Sequence, residues 1–223
     1  MNNIYSIYKK LYKTYGTQGW WPFLEDGDMT YHPDDFSYPK DAMQIYEVGL
    51  GSILTQNTTY LSVVKSLQNL DKKDLINPQN ILEIDIDILK ELIRPSGYFN
   101  QKASYILNFT NFFLEQNGKI PTRKELLKIK GIGEETADSI LLYGYNQTEV
   151  KVDAYTKRMF THLGICTDKT KYIDIKNLIE KELEKDIKDK EELLRVYQEF
   201  HALIVCHGKK YYSKKPYGVG CFL

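Results

Sequence analysis

The stretch KGIGEETADSILLYG, Lys130–Gly144, joins two predicted helices through a turn that contains two glycines. Gly131 and Gly133 can adopt positive φ angles, which allows a sharp turn, and their missing Cβ atoms let a large partner approach the main chain. The pattern PTRKELLKI precedes the turn and GEETADSILLYG follows it, and Ile132 is an apolar anchor between the glycines. The sequence therefore predicts a helix, a tight hairpin and a second helix.

The start of the second helix is a candidate anion site. Amides in the first turn of a helix have no partner within it, and the helix dipole makes this end positive. A DNA phosphate fits such a site, but an ordinary helical hairpin with a glycine turn has the same spacing, so the spacing leaves both interpretations open. The candidate DNA-binding residues of the turn are Lys130, Gly131, Ile132 and Gly133.

Composition limits the class of protein. The chain has 223 residues, 42% of them hydrophobic, and its 30 basic residues balance 30 acidic ones, which argues against DNA binding by bulk charge. A local basic patch is present in the tail after His201, which has four lysines, Lys209 among them, and no acid. No apolar run approaches a membrane span, no signal peptide is recognisable, and three cysteines are too few for a disulfide framework. We therefore expect a cytoplasmic protein without a membrane partner.

Helical periodicity covers most of the chain after Ala42. The apolar spacing predicts an all-α fold of about ten helices, and Thr122 with Glu125 has the spacing of a capping box. The aromatic segment between Trp20 and Lys40 is predicted to be an irregular arm. The one plausible strand is TEVKV, at residues 148–152.

The motifs together resemble those of the endonuclease III superfamily of DNA glycosylases. LLKIKGIGEETADSILLYG…KVDAYTKR resembles the helix-hairpin-helix motif and the aspartate that follows it, and ILTQNTTY resembles the L-S-x-Q-x-T segment. IRPSGYFNQKA resembles the I-x-x-x-G-x-x-x-x-K-A segment, and FHALIVCHG resembles the late helix. The segments WWP, ILTQNT and RPSGYFNQKA look most similar to the 3-methyladenine DNA glycosylase III branch.

The resemblance implies a two-lobed helical DNA glycosylase fold. Residues 42–144 would form a helical barrel that contains the helix-hairpin-helix, and residues 1–41 plus 145–223 would form the second helical domain. The site is expected in a cleft between these domains. The expected partner is double-stranded DNA with a damaged base, bound by a monomer that is associated with the nucleoid if the source is a prokaryote.

Asp153 is the catalytic candidate that the resemblance provides. A glycosylase flips the base out of the stack and cleaves its bond to the sugar through a transition state that resembles an oxocarbenium ion. A carboxylate can stabilise this cation or activate water. Asp153 also has the position of a plain N-cap for the helix AYTKRMF, and a cap holds a carboxylate rigidly, so both roles can coexist.

Glu135 is the main departure from the superfamily pattern. Members that also cut the DNA backbone have a lysine at this position, and its amine forms a Schiff base with the sugar. A glutamate has no amine and cannot form a Schiff base. The resemblance therefore implies a monofunctional glycosylase for N-alkylated purines with water as nucleophile, and Glu135 as a second catalytic candidate in the pocket. Two alternatives stay open: an endonuclease III-like enzyme for oxidised pyrimidines with AP lyase activity, and a non-catalytic helix-hairpin-helix DNA-binding protein.

Aromatic side chains are the candidates for base binding. Trp20, Trp21 and Tyr60 match aromatic positions of the 3-methyladenine enzyme, and aromatic faces attract a cationic alkylated purine. Core packing is the alternative role for the tryptophans. Gln56 matches the residue that enters the gap left by the flipped base, although a helix-terminus cap would also explain it.

The C-terminal cysteines depart from the pattern as well. Many members hold a [4Fe–4S] cluster with four cysteines after the late HG, whereas this chain has Tyr and Gly at most of these places and keeps Cys206 and Cys221. Two cysteines cannot supply four ligands, so the prediction is no metal site and no cluster; a monovalent cation at the hairpin stays compatible with the motif. Lys209 in the basic tail either contacts DNA phosphates or is solvated.

Overall fold

The computed structural model describes residues 3–223, and helices dominate them. The predicted all-α helix-hairpin-helix class is confirmed, with eleven α-helices in this range where the sequence suggested about ten. The helices are α1 Ile4–Tyr15, α2 Ala42–Leu54, α3 Tyr60–Asp71, α4 Pro78–Glu83, α5 Ile86–Ile93, α6 Phe99–Gln116, α7 Arg123–Leu126, α8 Glu134–Ser139, α9 Ala154–His162, α10 Tyr172–Asp186 and α11 Lys190–Tyr211. A 3₁₀ turn, Arg94–Ser96, follows α5, and a π-helical turn, Ile140–Gly144, continues α8.

The aromatic arm contains the extended structure. Strands β1, Phe23–Glu25, and β2, Asp28–Thr30, pair antiparallel across a two-residue turn in which Asp26 and Gly27 have φ of 53° and 84°. The prediction of a wholly irregular arm is wrong for these residues.

The predicted strand TEVKV is also wrong, because its main chain is bonded to side chains instead of to another strand. The Val150 N–H donates to Glu180 Oε1 at 3.3 Å, and the Val152 N–H donates to the Tyr172 hydroxyl at 3.2 Å. Both acceptors lie on α10, so residues 148–152 run along a helix.

The chain divides into two compact units. Unit 1 comprises the described residues up to Trp20, His32–Phe36 and Gln147–Leu223, and unit 2 comprises Trp21–Tyr31 and Ser37–Asn146. The predicted domain boundaries, 42–144 against 1–41 plus 145–223, stay a prediction, and residues 1 and 2 of that prediction lie outside the described part.

In the core of unit 2, α2 packs against α6, α8 and the π-helical turn that continues α8. Gly49 on α2 lets the helices approach closely, since a Cβ there would lie 2.1 Å from the ring of Phe109 on α6. The predicted capping box of Thr122 and Glu125 opens α7.

A buried ion pair fixes α7 against α8 in unit 2. Arg123 Nε donates to Asp138 Oδ1 at 2.7 Å and its Nη2 donates to Oδ2 at 3.1 Å, while Asp138 is fully buried. A bidentate pair of this kind sets the orientation of both groups, so it joins the two helices of the hairpin motif rigidly.

In unit 1, α11 packs against α1 and α9, and His207 on α11 holds the C-terminal tail. Its Nδ1 lies 2.9 Å from the Tyr15 hydroxyl and its Nε2 lies 3.2 Å from Cys221 Sγ, to which the Tyr212 hydroxyl also donates. The tail is thus anchored to both α1 and α11. Within residues 3–223, no helix has the length and apolarity that a membrane crossing requires.

Candidate active site

Asp153 is the N-cap of α9, as predicted. Its Oδ1 accepts hydrogen bonds from the Thr156 N–H at 2.7 Å and from Thr156 Oγ1 at 2.9 Å. Its Oδ2 lies 3.7 Å from Nε2 of His201 on α11. The side chain is 12% exposed, so it is firmly held and still accessible at its surface.

The surroundings keep Asp153 ionised. Burial by itself would raise the pKa of this carboxyl, but the contact with His201, the charge of Lys151 and the Thr156 N–H together lower the pKa to about 2. Burial and the charge of Lys151 lower the pKa of His201, despite its carboxylate neighbour. Near pH 7 the site therefore presents a carboxylate beside an imidazole that is biased towards its neutral form.

Trp20 belongs to the same unit and lies beside this pair. Its ring meets that of His201 edge-on, with centroids 5.7 Å apart. The segment before it is held by the buried Glu199, whose carboxylate accepts from the N–H groups of Gln18 at 2.8 Å and Gly19 at 3.2 Å. Helix α11 thus places His201 against Asp153, and it places Glu199 against the main chain just before Trp20.

Sequence reasoning missed His201 and Glu199. They lie on different sides of α11, in a stretch from Tyr197 to Val205 that is buried all round, and each is only 3% exposed. The available signal was two ionisable residues within a largely apolar run, YQEFHALIV at residues 197–205. Their partners lie tens to hundreds of residues away along the chain, so spacing could not identify them.

In unit 2, the hairpin turn uses its two glycines differently. Gly131 has φ of 102°, and a Cβ there would lie 2.1 Å from the ring of Tyr105, so only glycine fits. Gly133 is extended, with φ of −93°, and no atom lies within 4 Å of the place of its Cβ. The prediction that both glycines support a positive φ is therefore wrong for Gly133, which instead leaves the start of α8 open. Ile132 is buried as the predicted anchor.

The other hairpin candidates surround this turn. Gln56 Nε2 donates to the Gly131 carbonyl at 2.9 Å and to Thr136 Oγ1 at 3.1 Å, so its side chain is attached to the motif. Lys130 is exposed, and its carbonyl accepts from Asn108 Nδ2 at 3.1 Å. Glu135 is also exposed, in the first turn of α8.

Trp21 and Tyr60 lie in unit 2, whereas Trp20 belongs to unit 1. Trp21 is 8% exposed, has its ring centroid 5.4 Å from that of Tyr143, and lies over Gly51, where a Cβ would come within 3.0 Å of the indole. This burial suits the core-packing alternative for Trp21. Burial and a hydrogen bond with the Tyr31 side chain raise the pKa of Tyr60, which is therefore a neutral phenol.

Glu47 is a buried carboxyl that the sequence analysis did not single out. It lies one helical turn before Gly51 on α2, and its Oε1 accepts from the Leu24 N–H of β1 at 2.9 Å. Burial raises its pKa to about 7, against the effect of that hydrogen bond. Glu47 and Gly51 thus hold β1 and Trp21 along one face of α2.

The remaining candidates lie in the last part of the chain, after His201. Lys209 is exposed at the end of α11, and Cys206 and Cys221 are both partly exposed with free thiols. Among residues 3–223, no three His, Cys, Asp or Glu side chains are grouped as a metal ion would require. The expected lack of a cluster stays a prediction that a metal analysis must test.

Comparison with known proteins identifies the class. Residues 50–185 match the family described as HhH-GPD superfamily base excision DNA repair protein, and the chain belongs to this family. It is therefore a DNA glycosylase of the helix-hairpin-helix class.

Individual relatives agree with this class. The chain is 43% identical, over 98% of its length and 92% of the relative, to a Methanocaldococcus jannaschii protein provisionally named as a DNA repair glycosylase. It is 31% identical to endonuclease III of Sulfolobus acidocaldarius, over 77% of this chain and 76% of that one. Among solved structures, H. pylori 3-methyladenine DNA glycosylase bound to 1,N6-ethenoadenine is similar with a TM-score of 0.72 and 28% identity, over 93% and 98% of the two chains.

Proposed function

We propose that this protein is a monofunctional glycosylase that removes N-alkylated purines such as 3-methyladenine from double-stranded DNA, with Asp153 as the catalytic carboxylate. The ionised and rigidly held Asp153 is the observation that carries the proposal. The similarity to the 3-methyladenine enzyme of H. pylori supports the substrate class. We propose that it acts as a monomer without an iron–sulfur cluster.

The chemistry follows from the arrangement around Asp153. Departure of the base leaves positive charge on the sugar, and the Asp153 carboxylate lowers the energy of that charge as it develops. Because Oδ1 is occupied by Thr156, Oδ2 is the oxygen available to the sugar or to a water molecule. An alkylated purine is already cationic and leaves without a strong acid, which suits a site where the imidazole of His201 is biased towards the neutral form.

Recognition of the base and the DNA is assigned to the other candidates. We propose that Trp20, Trp21 and Tyr60 contact the cationic purine, that Glu135 lines the pocket, and that Gln56 fills the gap in the duplex. The uncapped start of α8 would bind a backbone phosphate. Lys130, Gly131, Ile132, Gly133 and Lys209 complete the proposed DNA contacts.

The replacement Asp153→Asn tests the catalytic role. Asparagine keeps the size and capping ability but removes the charge, so excision of 3-methyladenine from a defined duplex should fall at least ~10²–10³-fold, as for a well-placed electrostatic group. Asp189→Asn is a matched control, because Asp189 caps α11 in the same way, accepting from the Glu192 N–H at 2.8 Å. Near-normal excision by Asp153→Asn, with the control also active, would transfer the role to another group.

The products test the monofunctional assignment. Without an amine at position 135, borohydride should trap no covalent complex with lesion DNA, and the strand should stay intact with an abasic site. Glu135→Lys should create some trapping if residue 135 lies at the sugar.

Lys151 favours a second candidate, a glycosylase with lyase activity. Its side chain is 8% exposed and its charge acts on Asp153, so it is an amine near the proposed site. A complex trapped with the unmodified protein and lost in Lys151→Met would establish that activity and refute the monofunctional assignment.

A further inference from the structure

Unit 1 has a concavity of about 500 Å³ beside α9 that the proposed chemistry does not use. It extends from Ala154, the first residue of α9, to the C-terminal tail. Three side chains in its wall are cations and one is an acid. Its main polar lining residues are Lys157, Arg158, His162, Asp168, Lys215 and Tyr217.

Two of the three cations donate to main-chain carbonyls. Arg158 Nη1 donates to the Tyr212 carbonyl at 3.0 Å, and Lys157 Nζ donates to the Thr170 carbonyl at 3.0 Å. Within residues 3–223, no carboxylate lies within 4 Å of the charged nitrogens of Lys157, Arg158 or Lys215. A concave surface with three such charges and one acid attracts an anion.

Arg158 is already held in position for binding. Its guanidinium lies 4.9 Å from the ring centroid of Tyr217 and 5.8 Å from that of Tyr155. Lys215 Nζ lies 5.9 Å from the same Tyr217 ring. A planar guanidinium fits the tetrahedral oxygens of a phosphate through two parallel hydrogen bonds, and one that is fixed in advance loses little entropy on binding.

We infer that this concavity is a phosphate-binding site and that it takes a backbone phosphate of the damaged strand; the choice of DNA as the source rests on the proposed function. Asp153 and Arg158 lie on one helix five residues apart, so their main chains are separated by about 7.5 Å along its axis. One strand of DNA has a phosphate about every 3.4 Å along the duplex axis. A separation of this size would place the site within a few nucleotides of the reacting sugar. A free phosphate or nucleotide has the same chemistry and is the other source to test.

Adjacent lysines of the tail provide a matched pair for the test. Lys215 lines the concavity, whereas Lys214 does not, and both are exposed. The affinity of Lys215→Ala and Lys214→Ala for an undamaged duplex is measured over a range of salt concentrations. For Lys215→Ala the slope of log affinity against log salt should be about 0.9 shallower than for the wild type, which is the loss of one phosphate contact, and for Lys214→Ala it should not change. Arg158→Gln, with its folding checked by circular dichroism, should give a similar change.

A second arm uses inorganic phosphate alone. The melting temperatures of the wild type and of Lys215→Ala are compared in phosphate and in chloride at equal ionic strength. Stabilisation of the wild type only, with unchanged DNA slopes, would assign the site to a free phosphate. Unchanged slopes for both Lys215→Ala and Arg158→Gln, with no stabilisation by phosphate, would overturn the inference. Binding to undamaged DNA does not require excision, so an inactive enzyme with the predicted slopes would refute the proposed reaction and leave this site standing.

Discussion

Replacement of Glu47 by glutamine should stabilise the protein in alkaline solution and have a much smaller effect in acid. Burial raises the pKa of Glu47 from its ordinary 4.5 to about 7, and the charges of Asp71, Glu25 and Asp41 act in the same direction. The folded state therefore holds this proton more tightly than the unfolded state. The associated stability is fully present below pH 4.5 and is lost as the pH rises through 7.

The size of the effect follows from the shift. A difference of about 2.5 pKa units corresponds to about 3 kcal/mol when Glu47 is ionised in both states, and most of this develops between about pH 5 and about pH 8.5. Glutamine is always neutral and its side-chain oxygen can still accept from the Leu24 N–H. The Glu47→Gln variant should therefore gain about 2–3 kcal/mol over the wild type between these two pH values.

Urea denaturation of both proteins at the two pH values measures this gain. Glu115→Gln is the control against which the gain is measured, since it makes the same chemical change at an exposed position on α6 of the same unit. If the stability difference between Glu47→Gln and the wild type were the same at both pH values, Glu47 would be ionised throughout and the reasoning from burial would be refuted.

Three further predictions concern the hairpin and the tail. Gly131→Ala should lower the melting temperature markedly, because of the clash with Tyr105 and the positive φ, whereas Gly133→Ala should melt close to the wild type; equal effects would refute the different roles of the two glycines. Arg123→Met should lower the free energy of unfolding in urea by about 3–5 kcal/mol, because it removes two charge-assisted hydrogen bonds to the buried Asp138, and a loss below about 1 kcal/mol would contradict this. The purified protein should be colourless in absorption spectra and contain no stoichiometric iron on metal analysis; a brown preparation with bound iron would refute the prediction.

Local signals allowed much of the fold to be predicted from sequence. The capping box of Thr122 and Glu125 and the N-cap role of Asp153 depend on residues three positions apart, and both appear in the structure. The hairpin of the arm was missed because strands of three residues are too short to show a period. The dipeptide Asp26-Gly27 was the available signal, since it favours this type of turn.

The surroundings of the site were less predictable because they depend on distant residues. Glu199 binds the amides of Gln18 and Gly19 from about 180 positions along the chain, and His201 meets Asp153 only through the packing of α11 on α9. The environment of Glu47 likewise depends on β1, because the Leu24 N–H that binds it lies 23 residues earlier in the chain. Resemblance to a family can indicate which carboxylate is important, but the pKa of that carboxylate depends on tertiary packing.

The two oxygens of Asp153 have separate tasks, and this has a consequence for how the protein can evolve. Oδ1 holds the first turn of α9 through Thr156, while Oδ2 faces His201. Asparagine, serine or threonine could cap α9 in place of Oδ1, but none of them could supply the negative charge that Asp153 places beside His201. If Asp153 has the proposed catalytic role, a descendant that lost catalysis would still be selected for a short polar residue at this position, and would keep its fold. On that proposal, a relative with asparagine, serine or threonine here would have lost the proposed chemistry and kept the cap of α9, and sequence surveys could find it from this one position.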